Sequence, residues 1–99
     1  MMRARTDFHT PVEEILSSKG RVRIIKILAT LGELNISEIA RKAELNYTTA
    51  NQHLIALEKA GIIQQKRFGR IRIYKFNRDD SKAQMIKKFL DSWDTDLRY

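Results

Sequence analysis

The chain has no cysteine among its 99 residues. Disulfide bonds, thiolate metal sites and cysteine nucleophiles are therefore excluded. No apolar run approaches the roughly 20 residues that a membrane-spanning helix requires. The first five residues are followed by polar residues rather than by the apolar segment of a signal peptide. These absences predict a cytoplasmic protein that has no membrane partner.

The sequence also lacks the residue groups that catalysis or metal binding requires. It contains no carboxylate pair, no nucleophile–base set and no phosphate-binding loop, so no enzyme is predicted. The two histidines, His9 and His53, are solitary in the sequence, so neither a metal nor another cofactor is expected. Because repeats, low-complexity tracts and an interdomain linker are also missing, a chain of this length is expected to form one domain.

Acidic residues are missing from the stretch between Gly61 and Arg78, which carries six cations. The formal net charge of the whole chain is +7, which favours a polyanionic partner. From Asp79 onward, acidic and basic residues nearly balance. The positive charge is therefore expected on one face, while the C-terminal segment serves another purpose.

Local signals divide the chain into a loose arm over residues 1–9, a folded unit over 10–78 and a C-terminal helix over 79–99. Thr10 and Glu13 predict a capping box at the start of a first helix. A second helix is expected from Ser18 to Leu31, and a short strand over residues 34–36 precedes a third helix capped by Ser37. The predicted class is α+β, mainly α, in the order α-α-(β)-α-α-β-β-α. This is a winged helix-turn-helix with a C-terminal dimerisation helix.

The segment 36–54 predicts two short helices joined by a tight turn, and the second helix covers residues 47–60. At 100° per residue, Ala50, Leu54 and Leu57 form its core-facing side. A helix in the major groove reads bases with short polar side chains on its first turns. The predicted base-reading residues are Thr48, Thr49, Asn51 and Gln52. A plain solvated face is the alternative, but these positions lack the Glu/Lys pairs typical of one.

Backbone contacts are predicted on either side of the base-reading residues. Tyr47 and His53 are expected to pack in part and to reach a phosphate. Residues 62–67 and 71–76 are rich in β-branched and aromatic residues and are joined around Gly69, which predicts a basic wing over 64–75. Its cations are expected on the DNA backbone or in the minor groove: Lys66, Arg67, Arg70 and Arg72. The alternative is a charged edge that prevents aggregation.

Apolar residues recur at 4-3-4 spacing along the last helix, which is typical of a coiled-coil seam. This seam consists of Ile86, Leu90, Trp93 and Leu97, is widened by Phe89, and is supplemented by Val12, Ile15 and Leu16 of the first helix. We expect a homodimer interface there. Packing of the last helix on the first one, or docking of another protein, would produce the same pattern.

The segment 45–63, continued by Phe68-Gly69-Arg70 and Ile73-Tyr74, resembles the core of the ArsR-type winged-helix repressors. It is nearly as similar to archaeal MarR-like regulators. The resemblance implies a homodimer on a palindromic operator, with the fourth helix in the major groove. The metal sensors of this type carry thiolates at the start of the third helix, or His with Asp/Glu pairs on the last helix. This chain has neither, so metal sensing is not implied. Glu44 stands where the family often has Gly, which predicts a left-handed residue at a cost of about 1 kcal/mol.

Three functions remain open at this point. The leading prediction is a nucleoid-associated, sequence-specific regulator of transcription that binds double-stranded DNA as a homodimeric repressor. The second is an architectural protein that coats DNA without sequence preference, and the third is a protein-interaction module of a larger complex. The polar Thr, Asn and Gln side chains of the fourth helix favour the first, because a coating protein would place Lys and Arg there.

Overall fold

The computed structural model describes residues 10–96, so the predicted arm over 1–9 and Leu97 lie outside the described residues. The described part is mainly helical with one small antiparallel sheet, as predicted. The elements are α1 (Val12–Leu16), α2 (Lys19–Leu31), β1 (Leu34–Asn35), α3 (Ile36–Ala43), α4 (Tyr47–Lys59), β2 (Ile63–Phe68), β3 (Ile71–Phe76) and α5 (Ser81–Asp96). Their order matches the predicted order, and the architecture is a winged helix-turn-helix. No helix among residues 10–96 is both long and apolar enough to cross a bilayer.

The core lies between the helices and one face of the sheet. Ile24, Ile25 and Leu28 of α2 are fully buried and sit at its centre, packed against Leu54 and Leu57 of α4. Burying an aliphatic side chain of this size stabilises the fold by about 1.5–3 kcal/mol. No polar or charged residue of the described part is fully buried, so this core is held together by apolar packing.

The sheet has the strand order β1-β3-β2, with β3 in the middle. Its register pairs Ile63 with Phe76 and Phe68 with Ile71, which leaves Gly69 and Arg70 as the turn. Gly69 has a φ of 62°, a left-handed conformation that glycine adopts without steric cost. Because side chains alternate along each strand, this register determines which wing residues share a face.

Two helix starts differ from the predictions by one or two residues. The first helix begins at Val12 with Pro11 at the N-cap and no capping side chain, so the predicted capping box of Thr10 is wrong. The third helix is capped by Asn35 rather than by Ser37. The Asn35 side chain accepts a hydrogen bond from the Glu38 backbone N–H, and the Glu38 side chain accepts one from the Asn35 backbone N–H, both at 2.9 Å. This reciprocal pair fixes the start of α3.

The apolar residues of α5 are divided between two directions. Ala83 is buried, and Ile86 and Leu90 pack partly buried against the core of the same chain. Phe89 and Trp93 remain more than half exposed on the outer side of the helix. Ile86 and Leu90 therefore contribute to intramolecular packing, which is part of the alternative that the sequence left open. Among the described seam residues of α5, only Phe89 and Trp93 are therefore exposed, so the exposed stripe is narrower than the apolar stripe in the sequence.

Candidate nucleic-acid interface

The turn between α3 and α4 is held by a strained residue and a bridging arginine. Glu44 adopts the left-handed conformation (φ 60°, ψ 46°), as predicted. The Arg23 guanidinium donates a 3.1 Å hydrogen bond to the Ala43 carbonyl oxygen and lies 3.6 Å from the Glu44 carboxylate. Asn46 then caps α4 by accepting a hydrogen bond from the Thr49 backbone N–H at 2.8 Å. These contacts set the direction in which α4 leaves the turn.

The outward side of α4 is polar at its N-terminal end. Ala50 is fully buried on the inner side, as are the leucines further along the helix. Thr48 and Gln52 are exposed, Tyr47 is half exposed at the helix start, and Thr49 is partly covered. Thr48 and Gln52 therefore form the accessible pair on the first turns, where a helix in the major groove contacts base edges.

Asn51 presents only part of its amide to the outside. Its Oδ1 atom is buried and has no hydrogen-bond partner. A bidentate contact with adenine needs both the oxygen and the nitrogen of the amide at the base edge. Such a paired contact thus fits Gln52 better than Asn51, whose oxygen faces into the protein.

His53 is partly buried, and its ring nitrogens face the beginning of α2. Its Nδ1 accepts a 3.2 Å hydrogen bond from the Arg21 guanidinium, and its Nε2 lies 3.4 Å from the Ser18 hydroxyl. Burial first, and the Arg21 charge second, lower the pKa of His53 below its ordinary value of 6.5. Gly20 permits this contact between α2 and α4, because an added Cβ would lie 3.2 Å from His53 Nε2. Both ring nitrogens therefore face α2, whereas the sequence predicted that His53 packs in part and reaches a phosphate.

The wing cations are separated by the register of the sheet. Arg67 and Arg72 are direct cross-strand partners on the face that also carries Ile63 and Tyr74, which is the face packed against the helices. Lys66 projects from the opposite face, where its ammonium group lies 3.1 Å from a carboxylate oxygen of Glu33. Lys66, which the sequence grouped with Arg67 and Arg72 as a predicted DNA contact, thus lies on the other face of the wing and pairs with an acidic residue.

No contact within the described part of the fold explains why Arg67 and Arg72 face each other. Like charges placed directly opposite on two strands destabilise a sheet, and neither Arg67 nor Arg72 has an ion-pair partner among the described residues. On the same face, the Gln65 amide lies 3.4 Å from the Glu58 carboxylate and links the wing to α4. Arg70 adds a further exposed cation in the turn. This arrangement suits phosphate groups that pass beside α4.

Two exposed cations of α3 were not among the predicted contacts. Arg41 and Lys42 lie on the last turn of α3, and the first helix of a helix-turn-helix commonly crosses the DNA backbone. The adjacent pair of cations just before the turn was the signal in the sequence. Ile55, with 57% of its surface exposed, follows Gln52 by one turn on the outward side of α4.

A second surface, formed by α1 and α5, is apolar. Val12 and Leu16 line a groove of about 340 Å³ together with Met85 and Phe89. These side chains are 40–64% exposed. The ring centroids of Phe89 and Trp93 are 5.9 Å apart, which extends the apolar surface along α5. Ile15 forms part of the groove floor but is buried, so it supports this surface without adding area to it.

The chain is similar to known regulatory proteins. Residues 18–65 match the model of the family described as bacterial regulatory proteins of the arsR family. Over 79 residues, which make up 80% of this chain, it is 32% identical to a cadmium resistance transcriptional regulatory protein CadC homolog of Staphylococcus aureus. The chain spans 65% of the length of that relative.

Solved structures have the same fold. One is the homodimeric winged helix-turn-helix DNA-binding domain of a possible ArsR-family regulator from Mycobacterium bovis, with a TM-score of 0.69 and 25% identity over 85% of this chain and 75% of that one. A second is a predicted DNA-binding transcriptional regulator from E. coli, with a TM-score of 0.69 and 20% identity over 82% of this chain and 83% of that one. The second likeness supports the fold alone.

Proposed function

Because residues 18–65 match the family of bacterial regulatory proteins of the arsR type and the chain is 32% identical to a CadC homolog, we propose that it belongs to that family and is a sequence-specific regulator of transcription. It binds double-stranded DNA as a homodimer, with α4 in the major groove and the wing on the neighbouring backbone, and acts as a repressor. Its role is binding rather than catalysis. The match to the CadC homolog, a transcriptional regulatory protein by its name, supports this proposal.

One observation carries the proposal more than any other. Exposed groups able to contact bases, Thr48 and Gln52, lie on α4, and the wing face that packs toward the helices carries Arg67 and Arg72 without ion-pair partners in the described part. Amide and hydroxyl groups read base edges, whereas guanidinium groups bind phosphates regardless of sequence. A protein that only coats DNA has no use for the polar groups, and a protein-docking module has no use for the facing arginines.

The homodimer is proposed from the apolar surface of α1 and α5. Val12, Phe89 and Trp93 each expose more than half of their surface, and a contiguous apolar patch of this kind is typical of an interaction site. The Mycobacterium bovis domain of the same fold is described as homodimeric. A second copy would also supply the second α4 that a palindromic site requires, about 34 Å from the first along the duplex.

The proposal includes regulation without a thiolate-bound metal, in contrast to what the name of the CadC homolog suggests for that protein. The sequence has no cysteine, and residues 10–96 contain no group of three or more His, Asp or Glu side chains placed to bind an ion. Adding Cd²⁺ or Zn²⁺ at micromolar concentration should leave operator affinity unchanged. A metal-dependent loss of DNA binding would contradict this part of the proposal.

The test of sequence specificity is competition between a fragment from upstream of the gene and bulk DNA at about 150 mM salt. A specific binder should prefer its site by about 10³-fold or more. Gln52→Ala should weaken binding to that site by about 1–3 kcal/mol and relax the preference at one base pair per half-site. Gln64→Ala, which removes an exposed amide from the outer face of the wing, is the matched control and should bind like the unaltered protein.

Three results would contradict the proposal. Equal affinity for the upstream fragment and for bulk DNA would indicate an architectural protein. An equal loss for Gln52→Ala on both kinds of DNA would assign this side chain to the backbone rather than to a base. Failure to bind any DNA would leave the protein-interaction module as the better explanation.

A further inference from the structure

The tip of the wing carries two large apolar side chains that the fold does not use. Phe68 and Ile71 are direct cross-strand partners and form the last pair before the turn of Gly69 and Arg70. They are 58% and 57% exposed. Neither belongs to the core cluster, so folding gains little from their apolar surface.

The surroundings of this pair are strongly positive. No acidic residue occurs between Gly61 and Arg78, and Arg67 and Arg70 are the chain neighbours of Phe68 and Ile71. The Lys66 ammonium group, which is paired with Glu33, lies 5.6 Å from the centre of the Phe68 ring. An apolar patch flanked by Arg67 and Arg70 is complementary to a partner that offers apolar surface between negative charges. The minor groove of DNA has this character, because deoxyribose rings and base edges lie between its two phosphate strands.

We propose that Phe68 and Ile71 form an apolar wedge that enters the minor groove next to the site read by α4. The tip of the hairpin is thin enough for both of its faces to contact DNA within the minor groove. On one face Arg67 binds the phosphates of one strand, and on the other face the wedge lies against deoxyribose rings and base edges. The affinity of the wing then depends on the width and the floor of the minor groove as well as on the charge of the phosphates. This inference rests on the proposed function and adds a contact that responds to the sequence flanking the major-groove site.

The experiment compares the unaltered protein with Phe68→Ala combined with Ile71→Ala on one operator fragment. Loss of the wedge should weaken binding about tenfold. The slope of log K against log salt should stay the same, because no cation is removed. Phe68→Leu, which keeps an apolar side chain, should retain most of the affinity. Since both side chains are exposed, the melting temperature of each variant should match that of the unaltered protein.

A second arm locates the contact in the minor groove. Replacing guanine by inosine in the flanks removes the amino group from the groove floor without changing the major-groove edge of the base pair. The unaltered protein should bind the inosine fragment several-fold more tightly, and the double variant should not distinguish the two fragments. Equal binding of both proteins to the operator would overturn the wedge, as would an unchanged inosine preference in the double variant. The proposed function fails separately, if the unaltered protein does not prefer the operator over bulk DNA.

Discussion

Removing the two arginines that face each other on the wing should weaken DNA binding and stabilise the folded protein slightly. The change is Arg67→Gln combined with Arg72→Gln, which keeps a polar side chain at each position and removes both charges. The matched control is Lys66→Gln combined with Lys75→Gln, which removes two charges from the opposite face of the same hairpin. Each variant loses two positive charges, so their net charges are equal. The variants differ in the face of the hairpin from which the charges are removed.

The expected magnitude follows from the release of counterions. Each phosphate contact contributes about 0.9 to the slope of log K against log salt, so two arginines account for about 1.8 per protomer and about 3.6 per dimer. Between 50 and 200 mM salt, the double arginine variant should therefore lose about two orders of magnitude less affinity than the unaltered protein does. In the absence of DNA, relief of the repulsion should raise the free energy of unfolding by about 0.2–1 kcal/mol.

Fluorescence anisotropy on a labelled operator at several salt concentrations measures the slope, and urea unfolding measures the stability. The lysine control should keep a steeper slope, and it should be slightly less stable because the ion pair between Lys66 and Glu33 is lost. Identical slopes for the two variants would refute the assignment of the wing's phosphate contacts to the face of Arg67 and Arg72. A loss of stability in the arginine variant would show that these side chains have a structural role.

Three further predictions concern the interface, pH and the turn. The double change Phe89→Asp and Trp93→Asp should give a monomer in light scattering and abolish operator binding. The control Gln84→Asp, on the opposite side of α5, should remain a dimer. A dimer that survives the double change would contradict the proposed interface. Because burial lowers the folded-state pKa of His53 below 6.5, its contribution to stability is complete above that pH and falls as the pH drops through the folded-state pKa. His53→Gln should therefore show a flatter dependence of unfolding free energy on pH between 7 and 5, and parallel curves would argue against the neutral ring. Glu44→Gly should be about 1 kcal/mol more stable than Glu44→Ala in urea unfolding, since only glycine relieves the left-handed strain; equal stabilities would contradict that strain.

Local sequence signals determined most of the secondary structure. The spacing of Ala50, Leu54 and Leu57 predicted the buried side of α4, and Asn46 before the helix is of a residue type that is preferred at the N-cap. The left-handed residue at Glu44 was expected from the family resemblance, because the family often has Gly at that place in the turn. The cap and the apolar spacing act over a few neighbouring residues, so no knowledge of distant contacts was required.

Tertiary contacts decided the residues whose partners are distant in the chain. His53 is bound to Arg21 and Ser18, which precede it by 32 and 35 residues, and nothing near His53 in the sequence indicates them. The apolar stripe of α5 was visible as a pattern, but the position of the core determined that Ile86 packs inward while Phe89 stays exposed.

The wing shows most clearly which features depend on tertiary structure rather than on local sequence. Its charge and its strands were evident from composition, yet the pairing of Arg67 with Arg72 and the placement of Lys66 on the other face depend on the register of β2 and β3. A shift of one residue would exchange the two faces, because side chains alternate along a strand. Packing of Ile63 and Tyr74 against the helices fixes that register. The sequence thus determined that the wing is basic, and burial of its inner face decided which cations point toward the helices.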